Sequence, residues 1–92
     1  MNSSWHPEVQ TWLLRDDYPA ISDFYERLIE TYNDSYVDYY YLGLAYLLQG
    51  KEEEAQTTWL YILTQVPEDT ALVTILDTEA QRQEKKDNHS LA

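Results

Sequence analysis

Residues 36–67 read YVDYYYLGLAYLLQGKEEEAQTTWLYILTQVP, and the fold follows from this stretch. Ser35-Tyr36-Val37-Asp38 has capping-box spacing, in which the Ser hydroxyl accepts an orphan backbone N–H and the acid reaches back. A helix is expected from there to about Gln49. Gly50 can then adopt the left-handed conformation that closes it. Glu52, Glu53 and Glu54 open the next helix, their charges favourable against its N-terminal dipole. That helix carries Ala55, Trp59, Ile62 and Leu63 and stops before Pro67, since proline is disfavoured inside a helix. The first of these two helices is apolar nearly all round, which marks an element with neighbours on most sides.

The same helical period extends in both directions. Upstream, Ile21, Phe24, Tyr25, Leu28, Ile29 and Tyr32 recur at three- and four-residue steps, and Val9, Trp12 and Leu13 do so before them. Asp16-Asp17-Tyr18-Pro19 breaks the two runs. The acids there read as caps, with Pro19 in the first turn of the second helix. His6-Pro7-Glu8 starts the first helix, and Asn33-Asp34 ends the second. Downstream, a fifth helix begins near Glu68 to Thr70 and carries Ala71, Leu72, Ile75, Leu76 and Ala80. From about Lys85 the chain is polar and is expected to fray. The fold class is all-α.

Sliding the sequence by 34 residues aligns it with itself. Trp5 falls on Tyr39, Trp12 on Tyr46, Leu13-Leu14 on Leu47-Leu48, Ile21 on Ala55, Tyr25 on Trp59 and Leu28-Ile29 on Ile62-Leu63. A second shift brings Val73 and Leu76 under Tyr39 and Leu42, and Ala80 under Tyr46. Periods of this size mark stacked supersecondary units. The expected organisation is one domain over 1–84, with a repeat at about 2–35, a second at 36–69 and a capping helix at 69–84. Residues 85–92 form a polar flexible tail.

The second repeat resembles the tetratricopeptide family. Tyr39, Leu42-Gly43, Tyr46, Ala55, Trp59, Ile62 and Pro67 stand in the order and spacing of that signature across the whole unit. Gly at 43 and Ala at 55 allow close helix approach. The first repeat departs from the signature, with Glu8-Val9 in place of Leu-Gly and Ile21 in place of Ala, and only half of a third is present. The flank Glu79, Gln81, Arg82 and Glu84 is similar to the solvating cap that ends such arrays. The resemblance implies a right-handed superhelix of helix-turn-helix hairpins, about two repeats plus a C-terminal capping helix.

Composition narrows the function. The 92 residues carry 17 acidic and 6 basic side chains, a net charge of −11. Such a field repels phosphate backbones and favours basic partners, while also keeping an aromatic-rich surface soluble. Nucleic acid is therefore not an expected partner. With no cysteine, neither a disulfide nor a thiolate metal site can hold the fold. The longest mainly apolar run, Tyr36 to Leu48, is too short for a bilayer and contains Asp38. No secretory leader pattern opens the chain, and a soluble cytoplasmic protein is expected. His6 and His89 share no site. Successive glutamates at 52–54 point in different directions and cannot converge on an ion. No phosphate loop, nucleophile elbow or metal-ligand spacing appears, so the reading is of a non-enzyme without cofactor or metal.

The expected function is a protein–protein interaction scaffold. By resemblance to the family, the first helix of each hairpin lines a concave face. That places Val37, Tyr40, Tyr41, Leu44 and Leu48 toward the groove from the second repeat, and His6 and Gln10 from the first. Most of these residues also read as core of a central helix, but nothing in the sequence is left to cover Tyr40 and Leu44, which form the candidate docking patch. The family's carboxylate clamp corresponds to His6, Gln10, Tyr41, Ala71 and Ile75, none of which matches it. A peptide with apolar anchors and basic flanks suits the groove better. The alternatives are a homodimer that covers the same patch with a second copy, and a docking or regulatory segment preceding a transferase-type domain of a larger enzyme.

Overall fold

The computed structural model describes residues 5–32, 35–66 and 70–91. They are helical and include no strand among the described residues. A single 3-10 turn, Pro7–Val9, runs into α1, Gln10–Leu14. It is followed by α2 (Tyr18–Tyr32), α3 (Tyr36–Leu48), α4 (Glu52–Leu63) and α5 (Ala71–Leu91). The expected ends at Asn33-Asp34 and Pro67, and the expected start at Glu68, lie outside the described residues. The fifth helix runs on through 85–91, where the sequence suggests a polar tail. No Gly or Pro interrupts that stretch.

The turns that end α1 and α3 have the same construction. After α3, Gly50 sits at φ 80°, its N–H donates to the Leu47 carbonyl at 2.9 Å, and the Lys51 N–H donates to Tyr46 at 2.9 Å. After α1, Asp16 sits at φ 55°, its N–H donates to Leu13 at 3.2 Å, and the Asp17 N–H donates to Trp12 at 2.8 Å. Both pairs are the hydrogen bonds of a Schellman cap. All four residues of one turn lie 34 positions from their counterparts in the other, so the sequence repeat is also a backbone repeat there. Asp17 then caps α2 by accepting from the Ala20 N–H at 3.4 Å. Ser35 precedes α3 in extended conformation but makes no side-chain cap, so the expected capping box does not form.

The core is centred on α3, which packs against α2, α4 and α5. Tyr40, Tyr41, Leu42, Leu44 and Ala45 are all buried there, together with Ile21 and Tyr25 of α2, Ile62 of α4 and Ile75 of α5. Gly43 is where α4 comes closest. A Cβ at this position would overlap the Trp59 indole, whose Nε1 donates to the Tyr40 carbonyl at 3.0 Å. Gln49 ties α3 to α2 through its amide, which donates to Ser22 Oγ at 3.1 Å. The repeat is looser in α5. Ile75 is buried as its counterpart Tyr41 is, whereas Val73 and Ala80, aligned with Tyr39 and Tyr46, face solvent.

Candidate functional site

Tyr40, Tyr41 and Leu44 are core residues, which corrects the expectation that Tyr40 and Leu44 stand uncovered. Tyr40 lies against Tyr36, its carbonyl accepting from the Trp59 indole, while Tyr41 is covered by Trp5 and by α5. The Trp5 ring lies 4.9 Å from that of Tyr41 and 6.3 Å from that of Tyr25, and Tyr25 stacks on Tyr41 at 6.0 Å. From α5, Ile75 and Glu79 close the same region. The Trp5 indole N–H donates to Glu79 Oε1 at 3.1 Å, joining residues 74 positions apart.

Glu79 is therefore a buried anchor rather than part of a solvating flank. Arg82 bridges both of its oxygens, with Nε donating at 2.9 Å and a terminal nitrogen at 2.8 Å, and Gln83 donates at 2.7 Å. Burial pushes the carboxyl up, but the hydrogen bonds from Arg82, Gln83 and Trp5 outweigh it, and the net direction is down. The same pairing pushes Arg82 up. Burial, followed by the nearby Glu79 charge, raises the Tyr41 hydroxyl to about 12.

The remaining predicted site residues range from partly buried to exposed. Val37 and Leu48 are partly buried against the core. Gln10 is exposed. His6 begins the 3-10 turn, its Nδ1 accepting from the Glu8 N–H at 3.1 Å and its ring lying 4.9 Å from Phe24. Its backbone N–H donates to the Tyr25 hydroxyl at 2.9 Å. It lines a shallow cleft of about 360 Å³ with Phe24, Arg27, Leu28 and Tyr32.

A second opening lies between α4 and α5. It has a volume of about 350 Å³ and is lined by Gln56, Trp59, Leu60, Leu63 and Leu72. Leu60 is 63% exposed, and Val73, next to Leu72 in α5, is 69% exposed, whereas the Tyr61 ring lies 5.6 Å from that of Tyr39 in α3. The wall is almost wholly hydrocarbon, with Gln56 its one amide side chain. Gln56, Leu60 and Leu63 escaped the sequence reading of the site, although the signal was present. Trp59-Leu60-Tyr61-Ile62-Leu63 is five apolar residues in succession, and a helix packed on one side cannot bury all five.

Among the described residues, no group of three His, Cys, Asp or Glu could hold a metal ion. No helix among them is long and apolar enough to cross a membrane. No protein-family model, curated protein or solved structure matches the chain.

Proposed function

We propose that the chain is a non-catalytic interaction module, a short tetratricopeptide-like array that binds a segment of another polypeptide. The Leu42-Gly43, Ala55 and Trp59 positions support the family reading, because the close α3–α4 contact that Gly43 permits is what this part of the signature is for. The recurrence of one turn geometry at Asp16 and Gly50 supports a stacked-hairpin organisation.

The docking surface in this proposal is the α4–α5 groove, in place of the Tyr40/Leu44 face. One observation carries it: Leu60, which lines that groove, leaves most of its side chain in water. A solvent-exposed aliphatic residue set in a concave apolar wall is what an anchor residue of a partner would cover.

Selection of a displayed peptide library against the full chain, with counter-selection against Leu60→Glu, tests the proposal. Recovery of peptides that bind the native chain and lose binding on Leu60→Glu is the expected result. Failure to recover any binder, or recovery only of peptides indifferent to residue 60, would overturn it. Leu60 is outside the core, so the variant folds, and circular dichroism checks that it does.

A further inference from the structure

The charge around the α4–α5 groove narrows its occupant. From Glu52 to Gln81 the chain has no Lys or Arg, while it carries Glu52, Glu53, Glu54, Glu68, Asp69, Asp77 and Glu79. Both walls of the groove come from this stretch. Gln56, Leu60 and Leu63 run along α4 at four- and three-residue steps, and the same face continues toward the N-terminus through Glu52 and Glu53, both exposed. Glu79 is neutralised by Arg82, whereas α4 itself carries no Lys or Arg, and Lys51, which precedes it, is placed toward α3, 6.0 Å from the Tyr46 ring. An apolar trough thus ends in an acidic lip.

The backbone of the walls favours a helical occupant. Both walls are helices whose interior N–H and C=O groups are already paired. An extended peptide would therefore bury its own backbone polar groups without receiving partners from the walls. A helix brings its hydrogen bonds with it and presents side chains at i, i+3 and i+4 to a helical groove.

Resting on the interaction-module reading above, we infer that the α4–α5 groove takes a cationic amphipathic helix, with aliphatic anchors against Trp59, Leu60, Leu63 and Leu72 and Lys or Arg over Glu52 and Glu53. A second copy of this chain is disfavoured on the same grounds. Two molecules of net charge −11 would be meeting through a groove whose lining offers no positive side chain to either.

The test uses two synthetic helical peptides with the same Leu spacing, one with Lys and one with Glu at the remaining positions. Fluorescence anisotropy with the full chain reads the binding. The Leu/Lys peptide is expected to bind, more weakly as salt rises, and the Leu/Glu peptide is expected not to. Leu60→Glu should abolish binding of the Leu/Lys peptide although it adds a negative charge, which separates groove docking from general attraction to an acidic protein. Gln56→Lys should weaken binding and Gln56→Glu should strengthen it, each by roughly two- to fivefold, as expected for one exposed charge pair.

Equal binding of both peptides, each sensitive to Leu60→Glu, would overturn the cationic assignment and leave the groove as a docking site. Binding unaffected by Leu60→Glu would overturn the groove itself. A mass by light scattering that doubles with concentration for the native chain, and stays single for Leu60→Glu, would show that the occupant is a second copy and overturn the inference in that direction.

Discussion

Asp16 and Gly50, 34 positions apart, hold the same left-handed place in the same kind of cap, one at φ 55° and the other at φ 80°. The geometry is natural for glycine and costs an L-residue about 1 kcal/mol, somewhat less for Asp than for most. Gly50 has open space where a Cβ would stand, so Gly50→Ala meets strain and no clash. A loss of about 1 kcal/mol in urea unfolding is expected for it. Asp16→Gly relieves that strain but gives up the hydrogen bond from the Tyr18 hydroxyl at 3.2 Å and loosens the unfolded chain. Its expected effect lies within about 0.5 kcal/mol of zero. A large loss at Asp16 would show that the aspartate does more than close the helix.

The Trp5–Glu79 bond gives the closure between the first described residue and α5 a measurable weight. Trp5→Phe keeps an aromatic ring against Tyr41 and removes the N–H donor, at an expected cost of about 1–2 kcal/mol. Glu79→Ala leaves Arg82 and the indole N–H without their acceptor, and about 2–3 kcal/mol is expected. If the two residues act through one bond, the double variant should fall short of the sum by about 1 kcal/mol. Additive losses would mean that Trp5 contributes by packing alone.

Stability against pH should be shaped by the same residues at both ends of the scale. Glu79 titrates below its ordinary 4.5 in the folded chain, so its contribution is present above that value and is lost as pH falls through the lower, folded one. Glu79→Gln should flatten this acid limb of a melting-temperature profile. Tyrosines behave in the opposite sense. Burial lifts Tyr25, Tyr41 and Tyr46, with the hydrogen bond to Glu26 adding to the effect at Tyr46. Their contribution is intact below 10, the unfolded value, and for Tyr41 is lost as pH rises from there toward about 12. Tyrosinate absorbance followed alongside the melting temperature should show these residues ionising only as the fold is lost. Ionisation of all tyrosines near 10 in a still-folded chain would contradict this.

Local signals carried the helices, and non-local ones decided the site. The period around Trp59, the glycine at 50 and the acids at 52–54 each act within a turn of their own position, and α3 and α4 end close to where the sequence places them. Covering Tyr41 depends instead on Trp5 and Glu79, from opposite ends of the described chain. A reading by periodicity sees Glu79 as a polar position and has no means of seeing the three residues that donate to it. The same limit explains Ser35. A serine three residues before an acid is a cap by spacing, but whether the hydroxyl turns inward depends on side-chain conformation. Leu60 was missed for a different reason, since a reading that looks for a core passes over apolar residues that the core cannot reach.

Gly43 and Trp59 offer the sharpest test of the α3–α4 contact. Replacing Gly by Ala in the middle of a helix ordinarily gains up to about 1 kcal/mol from propensity. Here the added methyl would land on the indole ring, held in place by its bond to the Tyr40 carbonyl. The ring must move, and overpacking of this kind costs about 1–3 kcal/mol, enough to cancel the gain in propensity or reverse it. Gly43→Ala alone should therefore destabilise the chain in urea unfolding. In a Trp59→Ala background, itself weaker by about 3 kcal/mol or more, the obstacle is gone and the propensity gain should appear. Gly43→Ala would then be neutral or stabilising. A change of sign between the two backgrounds would establish that glycine is required at 43 by the tryptophan opposite it; the same sign in both would place the requirement elsewhere in α3.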